Sequence, residues 1–263
     1  MNPFGLLNSY LTIVEKEFHI FARNWKQALL PPIINVTLYY IIFGHLMANS
    51  ILSSHPGISY IQFIMPGLVV MSLIMSSFSH AVSSFYTAKS QKSIEEILVT
   101  PTPYSVIIAW FVTGWVIRWL ITWVIIILIA QCFVGIPFLH IWLMLIFAIL
   151  TAILFALIGI LNALLADNSW ELSVFSNFFI TPLTYLGGIF YSISILPDIW
   201  QKVSHMNPVF YMVDGFRYGT YWIMNIDPGI SMMILIILNL ILFAIIHNMF
   251  VEGKWLRIES FHN

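Results

Sequence analysis

The chain has 263 residues, of which 60% are hydrophobic and 8% charged, and its mean hydropathy is +0.93. Soluble domains carry about 25% charged residues, so this composition excludes a water-soluble globular protein and points to one dissolved in lipid. A formal net charge of −1 gives no electrostatic basis for binding nucleic acid, and one cysteine, Cys132, leaves no internal disulfide to form.

The first segment, 1–27, reads as an amphipathic helix and not as a span. Leu7, Leu11, Val14, Phe18, Phe21 and Trp25 recur at helical steps, with Glu15, Lys16, Glu17, His19, Arg23 and Lys26 on the remaining surface. Such a helix lies in the plane of the membrane interface on its basic side. No basic n-region or small-residue cleavage site precedes it, so no removed signal peptide is expected.

Apolar runs follow at about 28–48, 59–85, 105–134, 138–166, 172–195 and 230–250. Each approaches or exceeds the ~20 residues that carry a helix across a ~30 Å hydrocarbon layer. Six spans place both termini on one side. Lys16, Arg23, Lys26, Lys89, Lys92, Lys254 and Arg257 fall on that side, and Lys202 and Arg217 on the other, so the positive-inside rule makes the terminal side cytoplasmic.

Between the second and third runs lies the longest hydrophilic interruption, 86–104. Ser93 to Val99 reads as a short helix, with Ser93 as N-cap and Glu96 completing a capping box. Thr100, which precedes Pro101, is pushed out of helical geometry and ends it. Ile94, Ile97 and Leu98 give this helix one apolar face, with Glu95 and Glu96 beside it, a pattern suited either to docking in a groove of a soluble partner or to a plain capped loop. In the third run, Trp115, Trp119 and Trp123 form a stripe at four-residue steps beside Arg118. Arg118 reads either as an intramembrane cation lining a translocation cavity with Trp115 and Trp119, or as a side chain that snorkels to the interface.

Pro182 and Gly187-Gly188 interrupt the fifth run. The link after it, 196–229, is too apolar for a solvated loop and reads as short helices dipping back into the outer membrane face. Within it Asn207 is a good N-cap, Pro208 is preset for the first helical position, and Asp214 and Arg217 share a face three residues apart. The pair reads either as a local structural clamp or as a substrate contact.

Two motifs, Ser93-Ile-Glu-Glu-Ile-Leu-Val-Thr-Pro-Thr-Pro103 and Asn207-Pro-x-x-Tyr-x-x-Asp-x-x-Arg217, resemble those of ABC-2 type transporter permeases. The resemblance covers nearly the whole chain as a single permease domain, 1–263. It implies an all-α integral membrane fold: six transmembrane helices, an N-terminal interfacial helix, a cytoplasmic coupling helix and an outer re-entrant hairpin. It further implies a homodimer or paired half-subunits in a bacterial inner membrane, joined to two copies of a separate ATPase that binds ATP and Mg. The family exports or flips lipids, glycolipids, polysaccharides or drugs. On this resemblance Glu95, Glu96, Ile97, Leu98, Thr100 and Pro101 couple to the ATPase, and Asn207, Pro208, Tyr211, Asp214 and Arg217 form the outer hairpin motif. Where relatives place arginine, glutamate and glycine before the Glu-Glu pair, this chain has Lys89-Ser-Gln-Lys-Ser.

The residues agree with a motor held elsewhere. The one Gly-Lys, Gly253-Lys254, is followed by Trp255, so no phosphate-cradling Gly-x-x-x-x-Gly-Lys-[Ser/Thr] loop exists and no enzymatic activity or resident cofactor is expected. Ser79 and His80 are adjacent, hence on different helical faces, which disfavours an intramembrane protease. The histidines lack metal-binding spacing. A non-ATP-driven carrier would place acidic residues mid-span, whereas here they sit at the span ends. That carrier and a membrane scaffold are the competing classes.

Overall fold

A computed structural model describes residues 19, 22–23, 25–46, 58–94, 103–135, 137 and 139–253. Among these the fold is helical throughout: α1 (Trp25–Leu46), α2 (Tyr60–Ser90), α3 (Tyr104–Val134), α4 (Ile141–Leu165), α5 (Ser169–Phe175), α6 (Thr181–Tyr185), α7 (Asp198–His205), α8 (Pro208–Tyr221) and α9 (Pro228–Glu252). The predicted N-terminal amphipathic helix lies almost wholly outside the described residues.

Among the described residues four helices, α2, α3, α4 and α9, are long and apolar enough to cross a membrane. Their ends follow local chemistry. Ser59 opens α2 with a capping box, its hydroxyl accepting from the Gln62 amide while the Gln62 side chain accepts from the Ser59 amide. Gly135, in a left-handed conformation, closes α3. Asp227 caps α9 just ahead of Pro228. The first and fifth apolar runs give shorter helices: α1 carries Pro31 and Pro32, and its apolar helical stretch is Leu29–Phe43.

The fifth run departs furthest from its predicted extent, 172–195. Its helix begins at Ser169, passes through a π turn at Ser176–Ile180 and stops at Tyr185. The wide turn lies immediately before Pro182, whose ring and missing N–H disturb the preceding α-helical hydrogen bonds. Gly188, at φ +72°, then takes the left-handed conformation that turns the chain back.

We call the end where α2 closes at Ser90 proximal and the opposite end distal. The central helix is α2, with Ile64, Val70, Leu73 and Ile74 fully enclosed. A large core joins its distal two thirds to α4 and to Val209, Met212, Val213 and Phe216 of α8. A second core at the proximal end gathers Phe85, Ile94, Ile107, Trp115, Leu164, Ile246 and Phe250. Outward positions are apolar as well, among them Ile34, Leu38 and Ile41 on α1 and Met233, Ile237 and Leu240 on α9. Apolar outside and inside alike is the signature of helices solvated by lipid.

Candidate functional site

Three constellations carry polar chemistry, one at each end and one between. At the distal end, α8 begins as its sequence dictates: Asn207 accepts from the Val209 amide at 2.9 Å and Pro208 holds the first position. The Asn207 amide also donates to the Leu183 carbonyl at 2.7 Å, fixing α8 to the end of the fifth segment. Tyr211 donates to the His205 carbonyl at 2.6 Å, closing the α7–α8 turn.

Asp214 and Arg217 are almost wholly enclosed, at 1% and 2% exposure. Among the described residues they form no ion pair with each other, which corrects the clamp expected from their three-residue spacing. Asp214 instead accepts from the Asn225 amide at 3.0 Å, the Asn225 side chain at 2.6 Å and the Ile226 amide at 3.0 Å. It holds the chain that leaves α8. Arg217 donates to the carbonyls of Phe63 at 3.3 Å, Gly188 at 2.7 Å and Ile189 at 3.0 Å, with its guanidinium 3.8 Å from the Phe63 ring centre. A buried charge must be hydrogen-bonded to be tolerated, and each of these is, but to groups of other segments and not to the other charge. Asn225 and Phe63, the partners that decide the geometry, gave no signal in the sequence reading.

Between the ends, α1, α2 and α6 enclose a cleft of about 490 Å³. One wall is the polar stripe of α2, Ser72, Ser76, Ser79 and His80, and the opposite walls carry Asn35, Tyr39, Thr181 and Tyr185. Among the described residues no aspartate, glutamate, lysine or arginine lines it. Ser72 donates to the Leu68 carbonyl at 2.9 Å, Ser76 to the Ser72 carbonyl at 2.7 Å, and Thr181 to the Ser176 carbonyl at 3.1 Å. With their protons committed to backbone, these hydroxyls offer the cleft chiefly lone pairs. Met71 and Met75 add adaptable apolar surface.

The tryptophan stripe expected to line a cavity is elsewhere. Trp115 and Trp119 are both 1% exposed and take part in the proximal and distal cores, and neither lines the cleft. Trp119 stacks on Trp123 at 6.3 Å. The helix runs continuously through Arg118, whose side chain lies outside the described residues.

At the proximal end, α2 closes on Gln91, Lys92 turns with φ 57°, and a new helical turn starts at Ser93 and Ile94. Ser93, expected as an N-cap, donates its hydroxyl to the Ala88 carbonyl at 3.3 Å. Ile94 is 1% exposed, so the first residue of the predicted apolar face is seated in the proximal core. Glu95, Glu96, Ile97, Leu98, Thr100 and Pro101 lie outside the described residues. Lys89, read from sequence as a loop charge, is buried, and its ammonium donates to the carbonyls of Leu164 at 3.2 Å and Ala166 at 3.0 Å.

Against known proteins, residues 8–221 match the model of the ABC-2 type transporter family. The chain is 43% identical over 248 residues to the inner membrane transport permease YadH of Escherichia coli (strain K12), spanning 94% of this chain and 96% of that protein. It is 24% identical over 212 residues to nodulation protein J of Sinorhizobium fredii (strain NBRC 101917 / NGR234), spanning 75% of this chain and 78% of that protein.

Proposed function

Because this chain belongs to the ABC-2 type transporter family and is a membrane transport permease, we propose that it is the membrane-spanning subunit of an ATP-driven exporter in a bacterial inner membrane. Two copies pair with two copies of a separate ATPase, which binds ATP and Mg. The observation that carries this reading is a likeness to a permease over nearly the full length, in a chain with no phosphate-binding loop of its own.

On this reading the proximal end is cytoplasmic, the helices α1 and α5–α6 complete six spans with the four long ones, and α7–α8 form the re-entrant outer hairpin. Residues 95–101 dock on the ATPase, and Ile94 anchors them to the ends of α2, α3, α4 and α9. The substrate is a lipid, glycolipid, polysaccharide or drug-like molecule. We place its route against the cleft between α1, α2 and α6, because the Trp115 and Trp119 side chains are enclosed by the core. A lining of serine and threonine lone pairs, methionine thioethers and the polar groups of Asn35, Tyr39, His80 and Tyr185 suits a ligand with an apolar part and hydrogen-bonding groups.

The test is to add the purified cognate ATPase to the permease in lipid nanodiscs. Its hydrolysis should rise on association, and an ATPase that neither binds nor responds would leave the carrier or scaffold classes. Orientation is checked with reporter fusions, which should read outside at Gln201 and inside at Gln91. A cytoplasmic signal at Gln201 would overturn the topology.

A further inference from the structure

The two ends of the molecule are joined by α4, and the structure shows how it is gripped at each. At the proximal end Lys89, in the last turn of α2, donates to the carbonyls of Leu164 and Ala166, at the C-terminus of α4. The free carbonyls and negative dipole end of a helix are a natural seat for an ammonium group. Five residues further on, Ile94 enters the same proximal core as Leu164.

At the distal end the His140 amide, at the start of α4, donates to the Gly219 carbonyl of α8 at 3.0 Å. The His140 ring lies 5.9 Å from Tyr218 and 4.6 Å from Trp222. About two turns into α4, Phe147 packs so tightly on α8 that a Cβ added to Gly215 would fall 2.4 Å from its ring. Between the two grips α4 does not stand alone. Ser77 of α2 donates to the Ala152 carbonyl at 2.9 Å, and a Cβ added to Gly159 would lie 2.8 Å from that of Ala81. At such contact distances two helices shift together, because packed surfaces do not deform continuously.

We propose that α2 and α4 form one rigid strut, ~37 Å long by the rise of the 25-residue α4, and that Lys89 is the positioning residue that fastens its proximal end, so that displacement beside Ile94 reaches α8 at the far end. That the displacement comes from an ATPase rests on the function proposed above. The mechanical linkage itself does not.

Hydrogen exchange of the full-length permease in nanodiscs, without any ATPase, tests the linkage. Lys89→Met, which keeps the aliphatic stem and removes the ammonium, should speed exchange at 86–94 and 160–168, and also about tenfold at 218–227, within the range of coupling between linked sites. Lys89→Arg should restore the slow pattern at both ends. Coupling is reciprocal, so Phe147→Leu at the distal grip should speed exchange at 86–94. If Lys89→Met does not fold, Phe147→Leu decides the matter alone. Exchange that rises only at the mutated end would overturn the strut. Because no ATPase is present, failure here is distinct from failure of the exporter reading, which is judged by ATPase binding.

Discussion

Replacing Arg217 by methionine is expected to destabilise the permease by about 3–5 kcal/mol, because three buried carbonyls lose a charged donor and a buried polar group left without its partner costs about 1–3 kcal/mol. Methionine fills the space of the side chain stem but donates nothing, so the carbonyls of Phe63, Gly188 and Ile189 lose their donor in a buried setting. The midpoint of thermal unfolding in detergent should fall on the order of 10 °C. Arg217→Lys should recover only part of this, because one ammonium cannot reproduce the fork of a guanidinium. Exchanging the two charges, Asp214→Arg with Arg217→Asp, should be at least as damaging as either change alone. Position 214 faces N–H groups and position 217 faces carbonyls, so each new charge meets the wrong sign. Recovery of stability in the exchange variant would reinstate the direct pair.

Reversing Glu95 and Glu96 together to lysine should abolish co-purification of the ATPase while leaving the permease inserted. Two hydrogen bonds to charged groups contribute about 1.5–3 kcal/mol each, so their loss alone lowers affinity about 100-fold or more. On the proposed topology insertion is preserved, because added positive charge is tolerated on the cytoplasmic side. The buried Ile94 just before the pair keeps the start of the segment attached to the bundle. ATPase retained at wild-type level by the double variant would reduce residues 95–101 to a linker.

What could be read from the sequence, and what could not, divides along the range of the interactions. Caps are local, so Asn207 and Pro208 were legible in full, and the third, fourth and sixth apolar runs matched α3, α4 and α9 to within a few residues. The fifth was read too long because hydropathy continues through Gly187-Gly188, whereas the helix stops at Tyr185. Asp214 and Arg217 were read as a pair because helical spacing reveals which residues could meet. It does not reveal that Phe63, 154 positions away from Arg217, offers both a carbonyl and a ring. Lys89 illustrates the same limit from the other direction. Inside a polar run it looks solvated, and only the fold shows that the end of α4 lies within its reach. The tryptophan stripe was correctly grouped on one face, but periodicity cannot say whether a face meets a cavity or a core. Here Trp115 and Trp119 meet the core.

The lengths of α2 and α3 carry a consequence of their own. Each has 31 residues, against 25 in α4 and α9. At the rise of an α-helix this is ~46 Å, well over the ~30 Å of hydrocarbon and about the full thickness of a bilayer with its head groups. These two helices also flank the segment 91–103. Because Lys89 holds the proximal end of α2 level with the end of α4, the surplus turns of α2 lie at the distal end, where they bring the Phe63 carbonyl and ring up to Arg217 of α8.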